Sequence, residues 1–318
     1  MQSQSRRLLS AAATVVAVTL LAACGSSSSS SSAGSSGSAS SSASGPGKGK
    51  PAITIGDKNF TEEYTLGDLY AQALQAKGFT VNLKANIGSS ELTDKALTSG
   101  QIQMYPEYTG VILSVIKGQT KVPPTAHATY LAAKQYEEGR GFTLLNPTPF
   151  EDRDVTATLV PFAQKHGLKS MSDLSKLKSF TNGGPPENKT RYEGLVGMHE
   201  AYHLNNVVFV PLAIGLQYSA LDSGKVDSAN VFTTDGQLQS GHYTLLTDPL
   251  HIYGFQNVAP VVSPKLIQAE GPAFVATLNA VSAKLTTPVM QKLNAAVDLD
   301  KISPATVAHD FLKANGLL

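Results

Sequence analysis

The sequence predicts an α/β protein of two lobes joined by a hinge. Three observations predict it. Short β-rich runs alternate with helical segments over about 52–105 and again over about 172–231, the pattern of parallel βαβ units. Two extended runs, near 150–155 and 254–260, read as crossings between these sets. The chain after 264 carries helical signals alone, so it is expected to return to the first lobe.

In order, Ala52–Gly56 is a β-rich run that opens the first set. Asn59 is expected to cap the next helix, with Glu62 three residues on as capping-box partner. Leu66, Leu69, Tyr70, Ala73 and Leu74 fall on one helical face, and Gly78 stops it. Thr80–Ala85 alternates apolar and polar residues and reads as a strand. A short helix from Ser90 to Gly100 follows, then a strand at Ile102–Tyr105. Pro147 and Pro149 break the chain before an extended run, Val155–Val160. The second set reads as helix Ser172–Leu177, strand Phe180–Asn182, helix Arg191–His203, strand Val207–Val210, helical turn Tyr218–Ser223 and strand Val226–Val231. Val258–Val262 is extended. Helices Pro264–Glu270, Pro272–Lys284, Pro288–Val297 and Pro304–Asn315 each begin with proline, a favoured first helical residue. The expected division is 51–151 with 257–318 in lobe 1, and 152–256 in lobe 2.

The first fifty residues read differently. Arg6 and Arg7 precede an uncharged apolar run, Leu8 to Ala23, too short to span a bilayer comfortably and typical of a signal peptide over 1–23. Leu21-Ala22-Ala23-Cys24-Gly25 resembles a bacterial lipobox, and Cys24, the sole cysteine, is the expected lipid attachment point. Residues 24–50 are the expected tether; Gly25 to Gly47 within it is almost wholly Ser, Gly and Ala, a flexible coil with a reach of roughly 25 Å. These features imply an extracytoplasmic protein, lipid-anchored to the cell membrane.

Composition excludes several function classes. The 318 residues are 42% hydrophobic and carry a formal net charge of +1, which falls to −1 once Arg6 and Arg7 leave. A near-neutral chain lacks the basic surplus that nucleic acid demands. A single cysteine excludes a disulfide framework and a multi-cysteine metal cluster. Neither a Walker-type phosphate loop nor a G-x-S-x-G elbow occurs, and no cofactor is expected. Gly183-Gly184-Pro185-Pro186-Glu187 precedes Arg191, but its prolines remove two N–H donors, so it reads as a rigid loop presenting Arg191 rather than as an anion cradle.

Several blocks occur together in order: Gly56-Asp57-Lys58-Asn59-Phe60-Thr61-Glu62, Asn86-Ile87-Gly88-Ser89-Ser90, Tyr105-Pro106-Glu107-Tyr108-Thr109-Gly110, Phe232-Thr233-Thr234-Asp235-Gly236, Ala259-Pro260-Val261-Val262, and Leu293-Asn294 with Val297-Asp298. Over about Ile53 to Leu318 the chain resembles the osmoprotectant (glycine betaine, carnitine, choline) substrate-binding proteins of ABC importers. The resemblance implies a type II periplasmic-binding-protein fold, no enzymatic activity, and a monomer that delivers a small solute to a membrane permease with a separate ATPase. It also implies a ligand site in the cleft. Tyr108 matches one tyrosine of the family's aromatic box, which holds quaternary ammonium groups by cation–π attraction. Lys58 and Arg191 match its carboxylate partners, and Asn59 and Thr234 lie in matching blocks. Other box tyrosines fall at Asp154, Phe232, Gln256 and Asn257, and Val111 replaces a Thr or Asp, so the aromatic count falls from four to about two. Asp152 and Asp154 then neutralise a cationic head by charge. The expected ligand is zwitterionic or polar and betaine-like, with a non-quaternary polar solute as the alternative.

His199-Glu200-Ala201-Tyr202-His203 is an H-E-x-x-H. On a helix its two histidines share a face, as zinc binding needs, with Glu200 as base. A zinc hydrolase is the alternative from another class. No third-ligand motif follows, and the segment reads as a surface helix of lobe 2.

Overall fold

The computed structural model describes residues 45–318; the signal peptide, Cys24 and most of the tether lie outside them. Strand β1, Ile53–Gly56, is parallel to β2, Val81–Lys84, and to β3, Met104–Tyr108. Two short segments complete this first sheet: β4, Thr143–Leu144, and β10, Val258–Val262. The order is β2–β1–β3–β10–β4, with β10 antiparallel to both neighbours. The second sheet has β5, Asp154–Leu159, β6, Phe180–Gly184, β7, Val207–Pro211, β8, Ser228–Phe232, and β9, Tyr243–Leu245. Its order, β7–β6–β8–β5–β9, repeats the first, with β5 in the place of β10. Each lobe therefore receives into its sheet, as an antiparallel member, the strand that has just crossed from the other. The crossings pair with each other: Glu151 bridges Asn257, and the Asp152 N–H donates to the Gln256 carbonyl at 3.1 Å. This paired two-strand connection is the hinge.

The helix Thr61–Ala76 buries Leu66, Leu69, Tyr70, Ala73 and Leu74, the stripe its periodicity predicts. They pack with Phe274, Leu278 and Leu312 from the C-terminal helices Pro272–Ser282 and Pro304–Ala314, which do return to the first lobe. At about 1.5–3 kcal/mol for each fully buried large apolar side chain, this stripe is a main source of lobe stability. The Tyr70 hydroxyl meets the Ser282 hydroxyl at 2.9 Å inside that core. Met171, Leu174, Phe180, Met198 and Leu204 form a corresponding core in the second lobe.

Four local expectations change. The cap of the Thr61–Ala76 helix is Phe60, not Asn59, and no side chain caps it. The reason is that Glu62 turns into the cleft rather than back to the cap. The helix expected over 191–203 is broken: Glu193 and Gly194 leave helical geometry, and Gly197–Glu200 is a single turn. A Cβ on Gly194 would stand 2.2 Å from the Asn188 carbonyl oxygen, so the break needs glycine. His203 has φ +54°, beyond the end of that turn. His199 and His203 therefore do not share a helical face, and the zinc-hydrolase alternative loses the geometry it required. Strand β3, expected over Ile102–Tyr105, runs over Met104–Tyr108, so Tyr108 is the last strand residue and caps the turn Thr109–Val111. Finally, residues 45–50, expected as tether, already pack on the body. The Gly47 N–H donates to the Lys77 carbonyl at 3.0 Å, and the Lys50 ammonium donates to the Ala269 carbonyl at 2.7 Å.

Candidate functional site

The ends of β3, β5 and β8, the start of the Thr61–Ala76 helix and the hinge converge between the two sheets. Phe60 stands at their centre. Its ring stacks on Tyr108 of lobe 1, centroids 6.3 Å apart, and on Phe232 of lobe 2, 5.8 Å apart. The resulting three-ring stack joins the lobes. Sequence matching pointed to Tyr108 and Phe232; the ring between them was overlooked although it lies in the Gly56–Glu62 block.

Lys58 sits against this stack, its ammonium 4.2 Å from the Tyr108 ring centroid. It is 1% exposed and paired with Glu107 and, at 3.3 Å, with Glu63. Burial opposes its charge, but Glu107 and Glu63 outweigh this and hold it protonated. Lys58 thus serves the interior of lobe 1, and its charge is already spent on two carboxylates. Arg191 is likewise engaged. It forms a bidentate pair with Glu91 across the cleft, Nε–Oε1 3.1 Å and Nη2–Oε2 2.7 Å, and lies 3.6 Å from Glu193. Burial would raise the Glu91 carboxyl, but the Arg191 hydrogen bonds and charge prevail and hold it at about 2.

Glu62 links the lobes. Its Oε1 accepts from the Tyr108 hydroxyl at 2.8 Å, and its Oε2 from Thr234 at 2.6 Å and Asn294 at 2.9 Å. Asp152, at the hinge, accepts the Thr234 N–H at 3.1 Å. Asp235 accepts from the Phe232 N–H and the Tyr218 hydroxyl at 2.9 and 2.7 Å. Desolvation pushes all three carboxyls up, Asp235 to about 7. Asp154 opens β5 opposite Phe232; burial first, then the Glu193 charge, pushes it to about 8. Ser114 of lobe 1 donates to Glu193 at 2.8 Å, a further contact across the cleft.

The remaining residues named from sequence separate into two groups. Asn59 is exposed at the cleft edge and lines it, as does Val111. Gln256 and Asn257 do not offer free amides. Gln256 accepts from the Val111 N–H at 3.0 Å and donates to the Tyr253 carbonyl at 3.1 Å. Asn257 donates to the Thr148 and Phe150 carbonyls, away from the cleft, and so ties β10 into lobe 1. Both are hinge fasteners. Sequence reasoning missed Glu91, Glu193, Asp235 and Asn294, yet Asp235 and Asn294 lie within the family-like blocks, and Glu91 and Glu193 stand one and two residues after Ser90 and Arg191.

The space itself is divided. Phe60, Phe232 and Asp152 line both a compartment of about 50 Å³, which holds Lys58, Tyr108, Asp154 and Arg191, and a cavity of about 250 Å³, which holds Glu62, Asp235, Asn294 and Asp298. Such an interlobe cleft, lined by rings and convergent polar groups, is suited to a small molecule rather than to a polymer.

Comparison with known proteins agrees with this geometry. The model of a family described as the substrate binding domain of ABC-type glycine betaine transport systems matches residues 51–314. A glycine-betaine-binding protein of Pseudomonas aeruginosa is 33% identical over 278 residues, 84% of this chain and 88% of that protein. The glycine betaine-binding protein YehZ of Escherichia coli is 27% identical over 83% of this chain and 90% of its own length. The structure of apo YehZ superposes with a TM-score of 0.61 at 26% identity, covering 84% of this chain and 99% of that one. A glycine betaine/carnitine/choline ABC transporter structure gives a TM-score of 0.67 at 24% identity, over 83% and 99% of the two chains.

Proposed function

The chain belongs to the family of substrate-binding domains of ABC-type glycine betaine transport systems, and from that premise we propose that it captures a small zwitterionic or polar, betaine-like nitrogenous solute in the interlobe cleft. Its fold is the type II periplasmic-binding-protein fold. Proteins of this family are extracytoplasmic receptors that bind small solutes and work with a membrane permease and its ATPase. A lipid on Cys24 holds this receptor, a monomer, to the cell membrane. Lobe 2, residues 152–256, closes by hinge bending onto lobe 1, residues 51–151 and 257–318.

The observation that carries the ligand reading is the charge of the cleft. Buried carboxylates from both lobes outnumber the two cations, and both cations are already paired, so the surplus favours a solute bearing positive charge. A thermal-shift screen of the purified protein against glycine betaine, carnitine, choline, proline and ectoine tests it. A solute that binds only the folded state adds about 2.7 kcal/mol at a hundredfold excess over Kd, which raises Tm by roughly 5–10 °C in a body of this size. No shift with any of these solutes removes the assignment.

A further inference from the structure

The larger cavity differs from the compartment beside Tyr108 in its chemistry. Glu62, Asp152, Asp235 and Asp298 line it, and no Lys, Arg or His does. Among the described residues none of these four carboxylates forms an ion pair; their hydrogen bonds come from neutral donors. Thr61 supplies the bond to Asp298 at 2.6 Å. A buried carboxylate without a counter-charge is costly unless the site receives one from outside.

A second observation says what kind of charge. Asn294 is 3% exposed and lines this cavity. Its Nδ2 donates to Glu62 and to the Thr234 carbonyl, which fixes the amide so that Oδ1 is left over. That Oδ1 is buried without a hydrogen-bond partner. An acceptor of this kind asks for an N–H or O–H. The ring faces, by contrast, are committed. Phe60 has Tyr108 and Phe232 stacked on it, and Tyr108 carries the Lys58 ammonium. A quaternary ammonium has no N–H to give and depends on free ring faces. A primary or secondary ammonium or a guanidinium brings both the charge and the donors that the cavity lacks.

We infer that the cavity formed by Glu62, Asp152, Asp235, Asp298 and Asn294 is the seat of the solute's cationic end, and that it selects an N–H-bearing cation over a quaternary one. The geometry gives each part of the ligand a place. The protonated nitrogen donates to Asn294 Oδ1 and to the carboxylates, and the apolar part lies along the edge of the Phe60–Phe232 stack.

This inference rests on the solute-receptor reading and deepens it. Calorimetric titration of the purified protein with two N-methylation series tests it: ethanolamine, dimethylethanolamine and choline, then sarcosine, dimethylglycine and glycine betaine. Each N–H-bearing member is expected to bind about tenfold or more tighter than its quaternary parent, the worth of one hydrogen bond to a charged group. N294L also removes the Nδ2 bonds to Glu62 and to the Thr234 carbonyl, so it should weaken every member somewhat, and the N–H-bearing members about tenfold more than their quaternary parents. D235N gives the same readout should N294L fail to fold, and the series on the unaltered protein stands without either variant. Equal or tighter binding of the quaternary members, or an N294L effect shared equally by both kinds, overturns the inference and leaves the receptor reading intact. Absence of binding by every member overturns both.

Discussion

Replacing Glu91 with Gln distinguishes two roles for Arg191 that predict opposite signs. In the structure the pair joins lobe 1 to lobe 2 through two hydrogen bonds of 2.7 and 3.1 Å. The Glu91 side chain is 44% exposed and that of Arg191 14%. Exposure sets a modest value, since exposed pairs contribute about 0–1 kcal/mol, and the bidentate geometry places this one near the top of that range. Loss of about 1 kcal/mol from the closed form lowers apparent solute affinity about fivefold, because binding must then supply that part of closure. The ratio of wild-type to E91Q affinity, read by titration calorimetry, should shrink as salt rises from about 0.05 to about 0.5 M. The competing role makes Arg191 the partner of the solute's carboxylate, with Glu91 as an internal competitor. E91Q would then bind a carboxylate-bearing solute more tightly. Tightening, or an unchanged affinity, refutes the latch.

Three further outcomes follow from the buried charges and the packed N-terminal turn. Asp154 and Asp235, raised to about 8 and about 7 chiefly by desolvation, bind more protons folded than unfolded between pH 4 and those values. Solute-free stability should therefore fall as pH rises from about 5 to about 8. A cationic solute that favours their ionised forms should release up to one proton per group and bind more tightly as pH rises over the same window; a pH-independent Kd with no proton release contradicts this. K58M strands Glu63 and Glu107 in the core of lobe 1 and should cost about 3–5 kcal/mol by urea denaturation. Glu63, pushed up to about 8, is mostly neutral at and below pH 7, so the Glu63 part of the deficit should appear as pH rises through about 8; a loss below about 1 kcal/mol would mean that Lys58 is not structural. G47V places Cβ 2.3 Å from the Phe79 nitrogen and should destabilise by about 1–3 kcal/mol, seen as a lowered Tm; an unchanged Tm would show that residues 45–50 contribute nothing to the folded body.

Much of this architecture was legible because its signals are local. Periodicity in the Thr61–Ala76 helix, proline at the start of the C-terminal helices, and the extended run at Val258–Val262 each reflect a backbone preference of the residues present. What escaped was set by tertiary placement. The helix Ala126–Gly139 buries Thr129, Ala133 and Glu137, a small and polar stripe that leaves no hydrophobic period to detect. Strands β4 and β9 have two and three residues and exist only through their neighbours. At the site, matching located Lys58 and Arg191 but not their partners, because a side chain's availability depends on which acids fold beside it. Glu62 was misassigned for the same reason: as a cap partner it needs only sequence spacing, whereas its three cleft donors come from residues 46, 172 and 232 positions away.

The same buried acids explain how a cleft tuned for a cation can close over its own charge. Glu62 comes from lobe 1, Asp152 from the hinge, and Asp154, Glu193 and Asp235 from lobe 2, so closure brings carboxylates together. If all were ionised, their repulsion would hold the lobes apart. Burial raises the proton affinity of Glu62, Asp152 and Asp154, the last to about 8, which lowers this repulsion, and hydroxyl and amide donors from Tyr108, Thr234, Ser114 and Asn294 satisfy the oxygens. Protons thus stand in for solute. A cation entering the cavity replaces them with a fixed positive charge, which makes binding and closure parts of one equilibrium. An aromatic box has no such exchange, since ring faces do not titrate in this range. On the proposed reading, acids such as Asp154, where the family resemblance implies ring faces, would change more than ligand preference: they would couple solute capture to pH.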